Sequence, residues 1–457
     1  MRPFDRKRRA PGWSVEPGCN TYRLIKIRRP RTGDENPLTS TAGIHGEGDS
    51  APPRRLRILL VCSRFPPAIG GAENHAYELS RALARRGHDV CVLTSDVDTV
   101  SPFSRVYPEN NNPIAHPGGR GSVTACRCRG LPLVPGVSSF GVFAPGFMML
   151  GADTREFDVI HAYSYGYSSS FLPGLSPRRS GRPFVITPLL TKEGPLLRKV
   201  YDRTFGRGLL GAADQVIALT GIEREFLLTL GVPSQRLTVV PTGIDLERLR
   251  AGKPVLNEPE PRPKRGRVIF VGRVTESKGV DVLVRAMRQV CNTMPGATLE
   301  IVGPDGGSLG SVRRLVSELS LDQSVDFLGT LSTNRVHVKI AEADVLVLPS
   351  VRGEAQGIVL LEGMALGTPV IGTSAGGIPE TLGHGELGLV VPPNDPKSLG
   401  HAILSLLRSE IDVEGMRARA FVWVRDHDWT WVGERVEEIY LKAIAARIDQ
   451  HSGLLGG

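Results

Sequence analysis

Two cations and two carboxylates in the second half of the chain have the types and spacing for phosphate and sugar chemistry. Arg273 and Lys278 lie in VGRVTESKG (271–279), directly after the apolar run RVIFVG (267–272). Two fixed cations at a strand's carboxyl end suit a diphosphate: they neutralise adjacent negative groups and can stabilise a departing anion. The alternative for this segment alone is an exposed loop with ordinary charges. The second part is GEAQGIVLLEGMALGTPVIGTSAGGIPE (353–380), where Glu354 follows a strand ending at Ser350. Gly357 and Ile358 open a helix and Glu362 falls in its early turns. Free N–H groups at that helix start, with the helix dipole, form a phosphate seat. A carboxylate accepts two vicinal hydroxyls, so the two glutamates flanking the seat suit a sugar ring on one side and a ribose on the other. For Glu362 alone a solvated helical face is the ordinary alternative.

These residues need a scaffold that brings strand ends together. LRILLVC (56–62) is a short apolar run of the kind buried on both faces. After the loop FPPAIGG, Ala72, Ala76, Leu79 and Leu83 recur at helical spacing, Gly87 ends the helix, and DVCVLTS (89–95) is the next strand. This is a β-α-β unit with parallel strands. DVIHAY (158–163), PFVIT (183–187), QVIAL (215–219) and RLTVVP (236–241) continue it. AGKPVLNEPEPRPKRG (251–266), dense in Pro and charge, reads as a linker. A second series follows: RVIFVG, TLEIVG (298–303), SVDFLG (324–329), DVLVLPS (344–350), PVIGT (369–373) and LGLVVP (387–392). The expectation is an α/β chain of two Rossmann-like, doubly wound parallel-sheet domains facing a cleft. Its parts are a disordered basic arm at 1–54, a first domain at 55–250, the linker at 251–266, a second domain at 267–427 and a closing helix at 428–450.

Composition narrows the classes. The chain has 457 residues and a net charge of +9, enough for two or three domains. Residues 1–55 hold 12 basic and 6 acidic side chains, so most of the excess sits in the arm and the body is nearly balanced. The charge is therefore no argument for a nucleic-acid partner. Six cysteines (19, 62, 91, 126, 128, 291) suit buried thiols in a reducing compartment. Cys126 and Cys128 have no partner pair for a structural zinc site. No secretory signal follows the basic start. LPLVPGVSSFGVFAPGFMML (131–150) is broken by Pro132, Pro135 and Pro145 and does not read as a membrane span. Either it packs inside the first domain or it lies against a membrane or lipid-linked acceptor. The expected location is cytoplasmic, with peripheral contact at the membrane's cytoplasmic face as the further option.

In order, GG-A-E at 70–73, D-V-I-H at 158–161, G-R-x4-K-G at 272–279, I-V-G-P-D-G-G at 301–307 and E-x7-E with L-L-E-x-M-A-x-G-x-P-V-I closely resemble the retaining glycosyltransferases of family four. The resemblance spans about residues 56–441 and includes DWTWVGERVEEIY (428–440). It implies the GT-B architecture, with a nucleoside-diphosphate sugar bound by the C-terminal domain and the acceptor by the N-terminal one. Carried over, Arg273 and Lys278 hold the donor diphosphate, Glu354 the transferred sugar and Glu362 the ribose. Gly357 and Ile358 open the phosphate-binding helix. Gly70 and Gly71 lie beside the donor phosphates and acceptor. The family often has H-x-H after the D-V-I strand; here it is His161-Ala162-Tyr163. His161 is a catalytic candidate, with packing at the strand end as its alternative. Where the family often has E-x-F-G, this chain has Glu354-Ala355-Gln356-Gly357, a change expected to alter sugar recognition.

The implied reaction moves a hexosyl unit to a hydroxyl of a glycan, lipid or lipid-linked acceptor, with retention by same-face attack assisted by the leaving phosphate. No cofactor or metal is expected, because the two cations and the helix start can neutralise the leaving group. Asp96-Val97-Asp98 matches a metal-binding D-x-D but lies far in sequence from the donor residues and reads as a turn. Two rival classes are a sugar-nucleotide epimerase of the same architecture and a non-catalytic protein that binds through its basic arm.

Overall fold

The computed structural model describes residues 54–68, 70–100, 103–105, 113–114, 121–128, 131–132, 142–143, 154–165, 181–192, 201–251 and 266–455. The arm up to residue 53, most of the linker and most of the apolar segment 131–150 lie outside them. Within that segment Leu131–Pro132 pairs antiparallel with Val142–Phe143.

The first sheet is built on β1 (Arg57–Val61), β2 (Asp89–Ser95), β3 (Ser122–Cys128), β4 (Val159–Tyr163), β5 (Phe184–Thr187), β6 (Gln215–Ala218) and β7 (Leu237–Val239). Their order is β7-β6-β5-β4-β1-β2-β3, with a two-residue antiparallel strand, Pro113–Ile114, at the far edge. All the other neighbours run parallel. The central strands β1, β4 and β5 are covered on both faces, which is why they read as unbroken apolar runs. Strand β3 was not foreseen. It lies near the sheet edge and buries only part of its length, so SVTACRC mixes Thr and Arg with apolar residues. The period of two puts Cys126 and Cys128 on one side, both buried. The Sγ atoms of Cys91 and Cys126 are 3.7 Å apart.

The second sheet contains β8 (Arg267–Val271), β9 (Thr298–Val302), β10 (Val325–Gly329), β11 (Val345–Leu348), β12 (Val370–Thr373) and β13 (Leu389–Val391), in the order β10-β9-β8-β11-β12-β13, all parallel. The order reverses between β8 and β11. In such sheets this switch point, at the strands' carboxyl ends, is where ligands bind. Arg273 and Lys278 leave β8 there, and Glu354 leaves β11.

The chain crosses between the two cores twice. After β7, Ile244 and Leu249 join the hydrophobic core of the second sheet. In return the last helix, Trp429–Leu455, inserts Trp429, Val432, Val436, Ile439, Tyr440 and Ala443 into the core of the first. Burial of each larger side chain contributes roughly 1.5–3 kcal/mol, so this helix is an integral layer of the first domain. The crossings touch where Ile244 bridges to Asp428. Gly243 lets them approach: a Cβ there would stand 2.9 Å from the Asp428 carbonyl carbon.

Candidate functional site

The loop after β8 is held from both sides. Buried Val274 anchors it, donating its N–H to Pro304 O (3.0 Å). A short turn, Glu276–Lys278, ends at Gly279 in the left-handed region (φ 63°). There a Cβ would be 2.2 Å from Pro349 O, so only glycine lets the loop press against the end of β11. Val351 N–H donates to Ser277 O (2.8 Å) and completes the clamp. As a result Lys278 Nζ pairs with the Glu354 carboxylate. Ser350 Oγ also donates to Glu354 Oε2 (2.9 Å), and Thr373 Oγ1 in turn donates to Ser350 O. Arg273 is exposed at the same sheet edge and has no ion-pair partner among the described residues.

Glu354 is also fixed through its backbone. Gly377 N–H donates to Glu354 O (3.0 Å). At Gly376 (φ 55°) a Cβ would fall 1.8 Å from the same oxygen, so the Gly376–Gly377 turn packs directly on the loop bearing the carboxylate. The helix Ile358–Ala365 then starts from Gly357 with no side chain capping it, as does the first-domain helix Gly71–Arg85 from Gly70. The two starts face one another: a Cβ on Gly71 would lie 3.6 Å from Ile358 Cδ1. Two helix starts without side-chain caps thus approach across the domains, the first of them with the Glu73 carboxylate folded back beside Gly70. Glu362 is on the second of these helices, with its Oε1 3.8 Å from His337 Nε2 on the helix Thr333–Glu342.

Between the domains lies a cleft of about 180 Å3. Thr191, Lys192, Thr220 and Glu223 line its first-domain wall, and Glu354 with the 374–377 turn lines the other. Glu223 was not anticipated, although T-G-I-E (220–223) after a strand carries the sequence signature of a capping box. Half of that box forms: Thr220 Oγ1 accepts from Glu223 N–H (3.1 Å). The carboxylate turns elsewhere, accepting from Leu190 N–H (2.6 Å) and Leu219 N–H (2.8 Å). Burial pushes the Glu223 carboxyl up to about 7 against the lowering effect of those two N–H groups.

His161 takes its packing alternative. It is fully buried, with Nδ1 2.7 Å from Tyr440 Oη and Nε2 2.8 Å from Thr187 Oγ1. Burial, with a smaller contribution from nearby His75, drives its pKa down to about 3. A neutral imidazole with both nitrogens in hydrogen-bond reach of a hydroxyl ties the last helix to the sheet. Tyr163 is buried too, its Oη 3.0 Å from His75 Nδ1. Gln356, at the position where the sequence departs from E-x-F-G, has an interdomain partner. It is buried and its Oε1 accepts from Thr242 N–H (2.9 Å) in the crossing segment, so the amide joins the domains. Asp96 is buried at the end of β2, where its N–H donates to Cys128 O (2.8 Å); the Asp98 side chain lies outside the described residues.

Two family models match the chain in succession, "Glycosyltransferase Family 4" over residues 69–248 and "Glycosyl transferases group 1" over 254–423. A glycogen synthase of Mycobacterium tuberculosis is 28% identical over 417 residues, covering 85% of this chain and 95% of that protein. A GDP-mannose-dependent alpha-(1-6)-phosphatidylinositol monomannoside mannosyltransferase of the same species is 27% identical over 396 residues, covering 82% and 95%. Among solved structures, a sucrose-phosphate synthase from Thermosynechococcus elongatus superposes with a TM-score of 0.68 at 24% identity, over 86% of this chain and all of that one. Two parallel sheets meeting at their carboxyl edges, the matched models on both halves and these relatives agree: the chain belongs to family four of the glycosyltransferases and has the GT-B fold.

Proposed function

We propose that the chain moves a hexosyl unit from a nucleoside-diphosphate sugar to a hydroxyl of a glycan, lipid or lipid-linked acceptor, retaining the anomeric configuration. The observation that carries this reading is the Lys278–Glu354 pair, set beside the uncapped start of the 358–365 helix on the second sheet's carboxyl edge. Arg273 and Lys278 hold the diphosphate. Glu354 accepts hydroxyls of the transferred sugar, and Glu362 those of the ribose. As the glycosidic bond breaks, negative charge grows on the leaving phosphate, where the two cations and the helix start meet it with little reorganisation. The sugar passes through an oxocarbenium-like state. The acceptor hydroxyl attacks from the same face and gives its proton to the leaving phosphate. Because these groups supply the positive charge, the proposed reaction needs no metal. The first-domain wall of the cleft, with Thr191 and Lys192, receives the acceptor.

Among the described residues no helix is long and apolar enough to cross a membrane. A peripheral contact with a membrane's cytoplasmic face belongs to the same proposal. It is supported by Phe205, 62% exposed on the helical segment Asp202–Ala212, and is tested by vesicle flotation.

The central test is sugar transfer by Lys278→Ala and Glu354→Gln with a panel of UDP- and GDP-sugars, in chelator. Wild type should transfer with retention. Each variant should lose about a hundredfold or more in kcat/KM, the weight of one or two charge-assisted donor contacts. Near-normal activity in both variants removes the site assignment. An epimer formed from donor alone overturns the reaction.

A further inference from the structure

The first turn of the helix Gly221–Thr229, on the first-domain wall of the cleft, is capped by a residue of the other domain. Gly221 N–H donates to Glu380 Oε2 (2.5 Å) and Ile222 N–H to Glu380 Oε1 (2.6 Å). With Thr220 Oγ1 accepting from Glu223 N–H, three N–H groups that a helix start normally leaves open are filled, two of them across the cleft. A carboxylate on a helix N-terminus also gains from the dipole.

Both ends of this contact run to the reaction centre. On the first-domain side the same turn carries Glu223, whose carboxylate holds Leu190 N–H. The placement of that turn therefore sets Leu190, Thr191 and Lys192, which line the cleft. On the second-domain side Glu380 lies in the short helix Ile378–Thr381. Thr381 Oγ1 donates to Gln356 O (2.6 Å), and the preceding Gly376–Gly377 turn packs on Glu354 O. Glu380 thus moves with the loop that carries Glu354. A second contact between domains, Thr242 N–H to Gln356 Oε1, supports the same loop from its other end.

We propose that Glu380 is a positioning residue for sugar transfer: it locks the acceptor wall (190–192 and 220–223) against the donor-sugar loop (353–357) when the domains close. Its carboxylate is taken up by Gly221 and Ile222 N–H, so it acts through Glu223 on one side and the backbone of Glu354 on the other. This rests on the reading of the cleft as a transferase site. Nucleotide held by Arg273, Lys278 and Glu362 needs only the second domain, so its affinity should be indifferent to Glu380. Acceptor binding and the rate of transfer should not be.

The experiment compares wild type with Glu380→Gln and Glu380→Ala. Its readouts are equilibrium binding of UDP and GDP, kcat and acceptor KM for transfer, donor hydrolysis without acceptor, melting temperature, and the radius of gyration by small-angle scattering. Glu380→Ala should keep nucleotide affinity within about twofold. It should lose about tenfold or more in kcat, raise acceptor KM, increase hydrolysis relative to transfer and enlarge the radius of gyration. Glu380→Gln, which keeps one acceptor, should fall between. Kinetics within twofold of wild type in both variants overturn the proposal. So does a loss in which nucleotide affinity and melting temperature fall in step with kcat, the mark of a structural role. If wild type itself transfers no sugar, the functional reading fails. The latch is then judged by scattering alone, where an unchanged radius in Glu380→Ala overturns it.

Discussion

A carboxylate's surroundings decide its work, and three glutamates of this cleft differ by theirs. Glu354 faces Lys278 and Ser350 at the sheet edge, where the proposed reaction has it receive sugar hydroxyls. Glu380 caps a helix of the opposite domain. Glu223 is buried, and its carboxyl is pushed up to about 7. That shift has a sign for stability. An unfolded glutamate ionises near the usual 4.3, so between there and 7 the unfolded chain sheds a proton that the folded chain keeps. The contribution of Glu223 is fully present below the unfolded value and is lost as pH rises through 7. The loss is at most about 4 kcal/mol. Denaturant titrations at pH 5 and pH 7.5 should show wild type losing more stability across that interval than Glu223→Gln, which has nothing to titrate there. Equal losses would contradict a raised Glu223 pKa. The E-x7-E spacing made Glu354 and Glu362 legible in the sequence. Glu223 and Glu380 were not: the 220–223 spacing signals only a helix cap, and that Glu223 reaches Leu190 N–H and Glu380 the 221–222 turn depends on segments no local pattern brings together.

At the scale of elements, the final helix is the clearest case of a segment whose partner lies far away in the chain. Its start was readable from DWTWVGERVEEIY. That it completes the first domain's core, and that Tyr440 Oη reaches His161 Nδ1 across 279 residues, depends on the return crossing beside Gly243. Tyr440→Phe keeps the ring in place but strips His161 Nδ1 of its partner inside a dry core. It should cost about 1–3 kcal/mol, read as a shift in the denaturation midpoint, with kcat unaltered because both His161 nitrogens are engaged inside the core. A large fall in kcat at unchanged stability would return His161 to the catalytic set. Strand β3 makes the complementary point. Edge strands bury one face or less, so their sequences lose the apolar run that marked β1, β4 and β5.

For the whole molecule, the two crossings and the facing helix starts make domain approach the variable on which the proposed transfer should depend. Gly71 sits 3.6 Å, measured from a built Cβ, from Ile358 Cδ1. Alanine fits that space, and the added methyl groups of a β-branched side chain press toward Ile358. Gly71→Val should therefore hold the domains apart. Transfer should fall at least tenfold while binding of UDP or GDP to the second domain stays within about twofold. Matching losses in both would mean that Gly71 serves the nucleotide site itself. Gln356 belongs to this scale as well: its amide accepts Thr242 N–H and so helps set the domain joint.

What the sequence determined by itself is the scaffold and the donor edge. Buried parallel strands announce themselves as apolar runs, and Arg273, Lys278, Glu354 and Glu362 stand beside strand ends and a helix start, so local spacing placed each pair at a strand's carboxyl end, and the pairing of β8 with β11 made those ends neighbours. The tertiary structure decided what faces that edge. Gly71 against Ile358, Glu380 on the 221–229 helix, Gln356 on Thr242 and His161 under Tyr440 join residues from about 110 to nearly 290 positions apart. Such pairs arise from the docking of the two sheets and from the return of the last helix onto the first, and hydrophobic periodicity reports only which face of an element is buried, never what it is buried against.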